Sequence, residues 1–86
     1  MKGKTIFITG ATSGIGEGCA RKFAAMGSNL ILNGRNTEKL ESLKKELTAQ
    51  GVEVLTLPFD VRDRKAMQQA VDSLHGQWIH VDVLIN

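Results

Sequence analysis

Four short, nearly unbroken apolar runs divide this 86-residue chain: "TIFIT" (5–9), "NLILN" (29–33), "VEVLTL" (52–57) and "VDVLIN" (81–86). Strands exposed to water on one face alternate apolar and polar residues; continuous runs imply a sheet covered on both faces. The stretches between them carry apolar residues at helical spacing instead. Ile15, Cys19, Ala20, Phe23 and Met26 form the first stripe, and Gly27 stands where a helix C-terminus closes. Leu40, Leu43 and Leu47 form the second, capped by Asn36 or Thr37 and ended by Gly51. Asp63 caps the third, with Ala66, Met67, Ala70, Val71 and Leu74 on its inner side and Trp78 at its far end. The order β-α-β-α-β-α-β predicts an α/β fold with a parallel sheet.

Right-handed crossovers, with a reversal after the third strand, give the strand order 3-2-1-4, half of a doubly wound sheet. The first two helices then lie on one face and the third on the other, which stays partly bare. The fourth strand offers an apolar edge that "VLIN" does nothing to blunt, having neither charge nor proline. The chain therefore reads as the front part of a longer protein, residues 1–86 being a dinucleotide-binding portion.

Composition removes several function classes. A net charge of +2, spread over eleven basic and nine acidic residues without a block, gives no electrostatic case for nucleic acid or a membrane surface. The apolar run after "MKGK" is broken too early by Gly10 to serve as a signal peptide. A single cysteine, Cys19, permits no internal disulfide and reads as a buried, inert thiol in a reducing, cytoplasmic setting. His75 and His80 flank Trp78 and read as surface residues; with Cys19 they do not form a metal-ligand spacing.

The chemistry-bearing stretch is "TGATSGIG" (9–16), which leaves a strand and opens a helix. Gly10 suits a tight turn with positive φ, Gly14 lets a pyrophosphate approach the backbone, and Gly16 lets the helix pack closely. Thr12 and Ser13 add hydroxyl donors, and the free amides of the helix start favour an anion. Strand, glycine-spaced turn and helix within one βαβ unit are the context a dinucleotide-binding loop requires.

Thr9-Gly10-Ala11-Thr12-Ser13-Gly14-Ile15-Gly16 resembles the Thr-Gly-x-x-x-Gly-x-Gly motif of the short-chain dehydrogenase/reductases. Asp60-Val61 stands where that family places an aspartate by the adenine, and Asn86 aligns with the first residue of its Asn-Asn-Ala-Gly motif. The resemblance spans essentially the whole chain and is nearest to NADP-dependent dehydrogenases of serine, allo-threonine and other 3-hydroxy acids. It implies a Rossmann-type fold and hydride transfer between a nicotinamide and a hydroxyl/carbonyl pair.

The second strand ends in Asn33-Gly34-Arg35-Asn36 with no carboxylate to repel a 2′-phosphate. Gly34 leaves room there, and Arg35, with Asn36, suits pairing with that phosphate, so the cofactor expected is NADP rather than NAD. The implied cofactor residues are Gly10, Ala11, Thr12, Ser13, Gly14, Ile15, Gly16, Arg35, Asn36, Asp60, Val61 and Asn86. Asp60 has a competing role in capping a turn. The family's acid/base is a tyrosine, aided by a lysine four residues later and an upstream serine; with no tyrosine, these residues alone are expected to be inactive. Three readings stay open: the cofactor-binding part of a reductase, a stand-alone nucleotide module, or a fragment that self-associates into a homo-oligomer through its open edge.

Overall fold

The computed structural model describes residues 2–86. Its elements are β1 (Thr5–Ile8), α1 (Gly14–Ala25), β2 (Asn29–Gly34), α2 (Thr37–Thr48), β3 (Val54–Pro58), α3 (Arg64–Ser73), a 3-10 turn (Gly76–Ile79) and β4 (Val83–Ile85). All strand pairs are parallel, and the order is β3-β2-β1-β4, as the crossover argument requires.

The register explains why the runs are apolar throughout. Ile6, Leu30, Val54 and Val83 lie in one row across the sheet, and Ile8, Leu32, Thr56 and Ile85 in another. Both rows point to the face that α1 and α2 cover with Ala20, Ala24, Leu40, Leu43 and Leu47. Each fully buried leucine there contributes about 1.5–3 kcal/mol, so the stripe on α2 is the main anchor of that helix. The intervening row, Phe7, Ile31, Leu55 and Leu84, points the other way.

That second face is the thinly covered one. No residue of α3 is fully buried. Met67, Ala70 and Leu74 are half-buried, whereas Val71 and Leu84 stay exposed, Leu84 by 59%. Three short helical and strand expectations are corrected here. Trp78 does not extend α3: the helix stops at Ser73, Gly76 turns the backbone at φ +64, and Trp78 sits half-buried on the 3-10 turn. β3 starts at Val54, not Val52. β4 is only three residues long; Asp82 ahead of it bonds to Thr5 of β1 twice, its amide donating to the Thr5 carbonyl at 2.9 Å and its carboxylate accepting from the Thr5 amide at 2.8 Å.

The caps follow the sequence more closely. The side-chain oxygens of Asn36 and Asp63 accept from the Lys39 and Ala66 amides, each at 3.0 Å. Gly27, at φ +82, ends α1 by donating to the Ala24 carbonyl at 2.9 Å. Among the described residues no helix is long and apolar enough to cross a membrane.

Candidate cofactor site

Parallel strands bring all four strand ends to one edge, and the order reverses between β1 and β4. Thr9 and Gly10 follow β1, Arg35 follows β2, Asp60 lies just beyond β3, and Asn86 follows β4. This crevice outside the carboxyl ends is where an open α/β sheet can hold a ligand.

The loop after β1 is built by its glycines. Gly10 turns at φ +63, a conformation that would strain a side-chain-bearing residue. A Cβ on Gly16 would run into the Gly10 carbonyl oxygen and stand 2.8 Å from Ala11 Cα, so α1 meets the turn itself rather than a strand. A Cβ on Gly14 would meet nothing within 4 Å; that position opens onto solvent. Ala11 is buried, and its amide donates to the Asn33 carbonyl at 2.7 Å, tying the loop to β2.

Ser13 is the N-cap of α1. Its Oγ accepts from the Gly16 amide at 3.1 Å and donates to the Gly10 carbonyl at 2.8 Å, so its hydroxyl already serves the loop. Helix geometry leaves the Gly14 and Ile15 amides without intrahelical acceptors. Ile15, expected on the inner stripe of α1, is 84% exposed. It belongs to the first turn, beyond the sheet edge, where no core lies beneath it. Met26, just past the helix end, is exposed for the corresponding reason.

Two adjoining hollows share Gly10, Ser13 and Val61. One, of about 250 Å³, takes in Thr12, Gly34, Arg35 and Asp60; the other, of about 450 Å³, takes in Ile15, Gly16, Cys19 and Asn86. Cys19 is half-buried on that wall rather than sealed in the core. Asn86 stands 3.3 Å from the Thr9 hydroxyl, which also donates to the Ile85 carbonyl. Of the residues singled out by sequence, Ala11, Gly14 and Asn36 line neither hollow. The room at Gly34 belongs to a neighbour: a Cβ there would press on Thr12. His75 and His80 are exposed, His75 with Nδ1 3.0 Å from the Ser73 carbonyl.

Arg62 is a residue that the sequence did not single out. Its Nη2 donates to Asp60 Oδ2 at 2.8 Å, and its Nε lies 3.2 Å from both carboxylate oxygens. The Arg62 amide also donates to Asp60 Oδ1 at 2.9 Å, so Asp60 does cap its own turn. These bonds, with Arg35 Nη1 3.8 Å away, hold the Asp60 carboxyl at about 2, below its ordinary 3.8. Arg35 itself is 72% exposed along its side chain and only loosely paired, leaving its donors available to an anion.

This crevice and motif agree with a match, over residues 4–86, to the family described as short chain dehydrogenase. The chain belongs to the short-chain dehydrogenases. Over 81 residues it is 46% identical to the NADP-dependent 3-hydroxy acid dehydrogenase YdfG of Salmonella typhi, taking in 94% of this chain and 32% of that protein. The serine dehydrogenase of Escherichia coli superimposes with a TM-score of 0.84 at 36% identity, over 93% of this chain and 36% of that one. L-sorbose reductase from Gluconobacter frateurii, solved with NADPH and L-sorbose, gives a TM-score of 0.90 at 32% identity, over 100% and 33%. The chain thus spans about a third of the length of these short-chain dehydrogenases.

Proposed function

We propose that this chain is the NADP(H)-binding part of a reductase or dehydrogenase acting on a hydroxyl/carbonyl pair, with a 3-hydroxy acid such as serine as the substrate class. The observation that carries the reading is Arg35. It stands at the rim of the smaller hollow, where β2 ends without a carboxylate, facing the glycine loop across Gly34. The fit is physical. Gly14 offers an open approach, the amides that begin α1 offer donors, and an exposed guanidinium offers charge-assisted bonds to a 2′-phosphate. Asp60 and Val61 form the side where an adenine would rest, and Asn86 the adenosine side toward β4. Relatives described as NADP-dependent or solved with NADPH support the same choice of cofactor.

The nicotinamide supplies hydride chemistry when bound. The residues of this chain bind and orient; without a tyrosine they do not perform the family's proton transfer. Calorimetric titration with NADP and NAD tests the reading. NADP should bind at least about tenfold more tightly, and Arg35→Ala should bring the two together. Equal affinities that Arg35→Ala leaves unchanged would refute it. The bare Leu84 side of the sheet favours a second reading, a chain that self-associates through β4.

A further inference from the structure

Asn33 joins the segments that face the crevice. It is buried at the end of β2, opposite Leu57 in the sheet, and it lines the smaller hollow. Its carbonyl accepts from Ala11 of the glycine loop, while its Nδ2 donates to the carbonyls of Leu57 and Phe59, both at 3.0 Å. Its Oδ1 is buried with no hydrogen-bond partner. Buried polar atoms in native proteins are nearly always paired, so such an orphan needs a reason. The reason is the other end of the carboxamide: turning both N–H donors onto the β3 loop leaves the oxygen facing away from any donor. Serine or threonine has one donor and aspartate has none, so neither can hold two carbonyls.

Those two carbonyls flank the last pair of the ladder, Gly34 and Pro58. Pairing stops after it, and the chain bends there toward Asp60. The Phe59 amide turns back to the Leu57 carbonyl at 3.1 Å, and Asn33 clamps both sides of that bend.

We infer that Asn33 is the positioning residue for the adenine-side wall: it fixes Phe59, Asp60 and Val61 at a set distance from the glycine loop, and so sets recognition of the purine. The inference rests on the reading of the crevice as a dinucleotide site.

The test uses the whole chain, NADP, NAD and deamino-NADP, in which an oxygen replaces the adenine 6-amino group. The unaltered chain should prefer NADP to deamino-NADP by about tenfold, the worth of one hydrogen bond. In Asn33→Leu that preference should shrink to within about twofold, with Asn33→Ser between. The preference for NADP over NAD should survive, because Arg35 follows β2 directly. A purine preference kept intact in Asn33→Leu would overturn the proposal. Amide exchange in the unliganded chain gives a second readout: the Arg62 amide should exchange about tenfold faster in either variant while the Ile31 amide does not change. If the unaltered chain binds no dinucleotide, the cofactor reading fails and exchange alone judges the clamp. Faster exchange at Arg62 supports it, and unchanged exchange overturns it. If Asn33→Leu does not fold, Asn33→Ser carries both readouts.

Discussion

Gly34 lies so close to Thr12 that a Cβ at position 34 would stand 2.9 Å from Thr12 Cγ2 and 3.1 Å from its hydroxyl. The end of β2 and the glycine loop are fitted together through a missing side chain. Gly34→Ala should therefore push Thr12 out of place and weaken NADP and NAD alike, by about five- to tenfold. Loss confined to NADP would mean that Gly34 serves the 2′-phosphate directly. Parallel titrations with the two dinucleotides separate these outcomes.

Gly14 and Gly16 sit two residues apart and should respond in opposite ways. Gly16→Ala forces a methyl group into the backbone of Gly10 and Ala11 and should cost about 2–3 kcal/mol in urea unfolding. Gly14→Ala meets no protein atom, so stability should hold or rise by up to about 1 kcal/mol, alanine being the better helix former. Its dinucleotide affinity should nevertheless fall, since the methyl group occupies the approach to the loop. If Gly14→Ala binds as the unaltered chain does, the pyrophosphate does not pass there.

Asp60 makes a pH prediction with a definite sign. Its folded pKa is depressed, so what the Asp60–Arg62 clamp contributes is present above the ordinary carboxylate range and is lost as pH falls through about 2. The carboxyl carbon resonance of Asp60 should titrate with a midpoint near that value. In Arg62→Ala the midpoint should move up toward 3.8, because Arg62 supplies the strongest bonds. A midpoint near 3.8 in the unaltered chain would show the clamp open in solution.

The thinly covered face predicts solution behaviour. Leu84, Val71, Ile79 and Val81 are all exposed, and β4 ends the sheet with an unpaired side. Sedimentation velocity should show association rising with concentration, and Leu84→Lys should reduce it. A single species at the monomer mass up to about 1 mM, within the range in which exposed sheet edges associate, would exclude this.

The features legible in the sequence were those written in periodicity and local spacing. Unbroken runs such as 29–33 announced buried parallel strands, and Asn36 and Asp63 announced helix starts. The glycines at 10 and 16 marked the turn between β1 and α1 that borders the larger hollow. What stayed hidden depends on residues far apart in the chain or on one turn's detail. Nothing in "LPFDVRD" shows that Arg62 folds back on Asp60, or that Asn33, 24 residues before Leu57, holds the bend. Trp78 fitted the stripe of α3 by spacing alone, but the backbone leaves the helix at Leu74, with ψ 136, and Gly76 then turns left-handed. Ile15 fitted its stripe too, but periodicity does not say where the sheet beneath it ends.

The placement of β4 beside β1 has a consequence for how the chain comes together. From β1 to β3 every pairing joins neighbours in the chain, so three strands and two helices can form by closing short loops. The last strand must instead return to the first: the Thr5 amide and the Asp82 carboxylate that bond ahead of β4 lie 77 residues apart. Contacts of such long separation form late and slowly. During synthesis one flank of β1, the most buried strand, therefore waits open until nearly the whole of this sequence has left the ribosome.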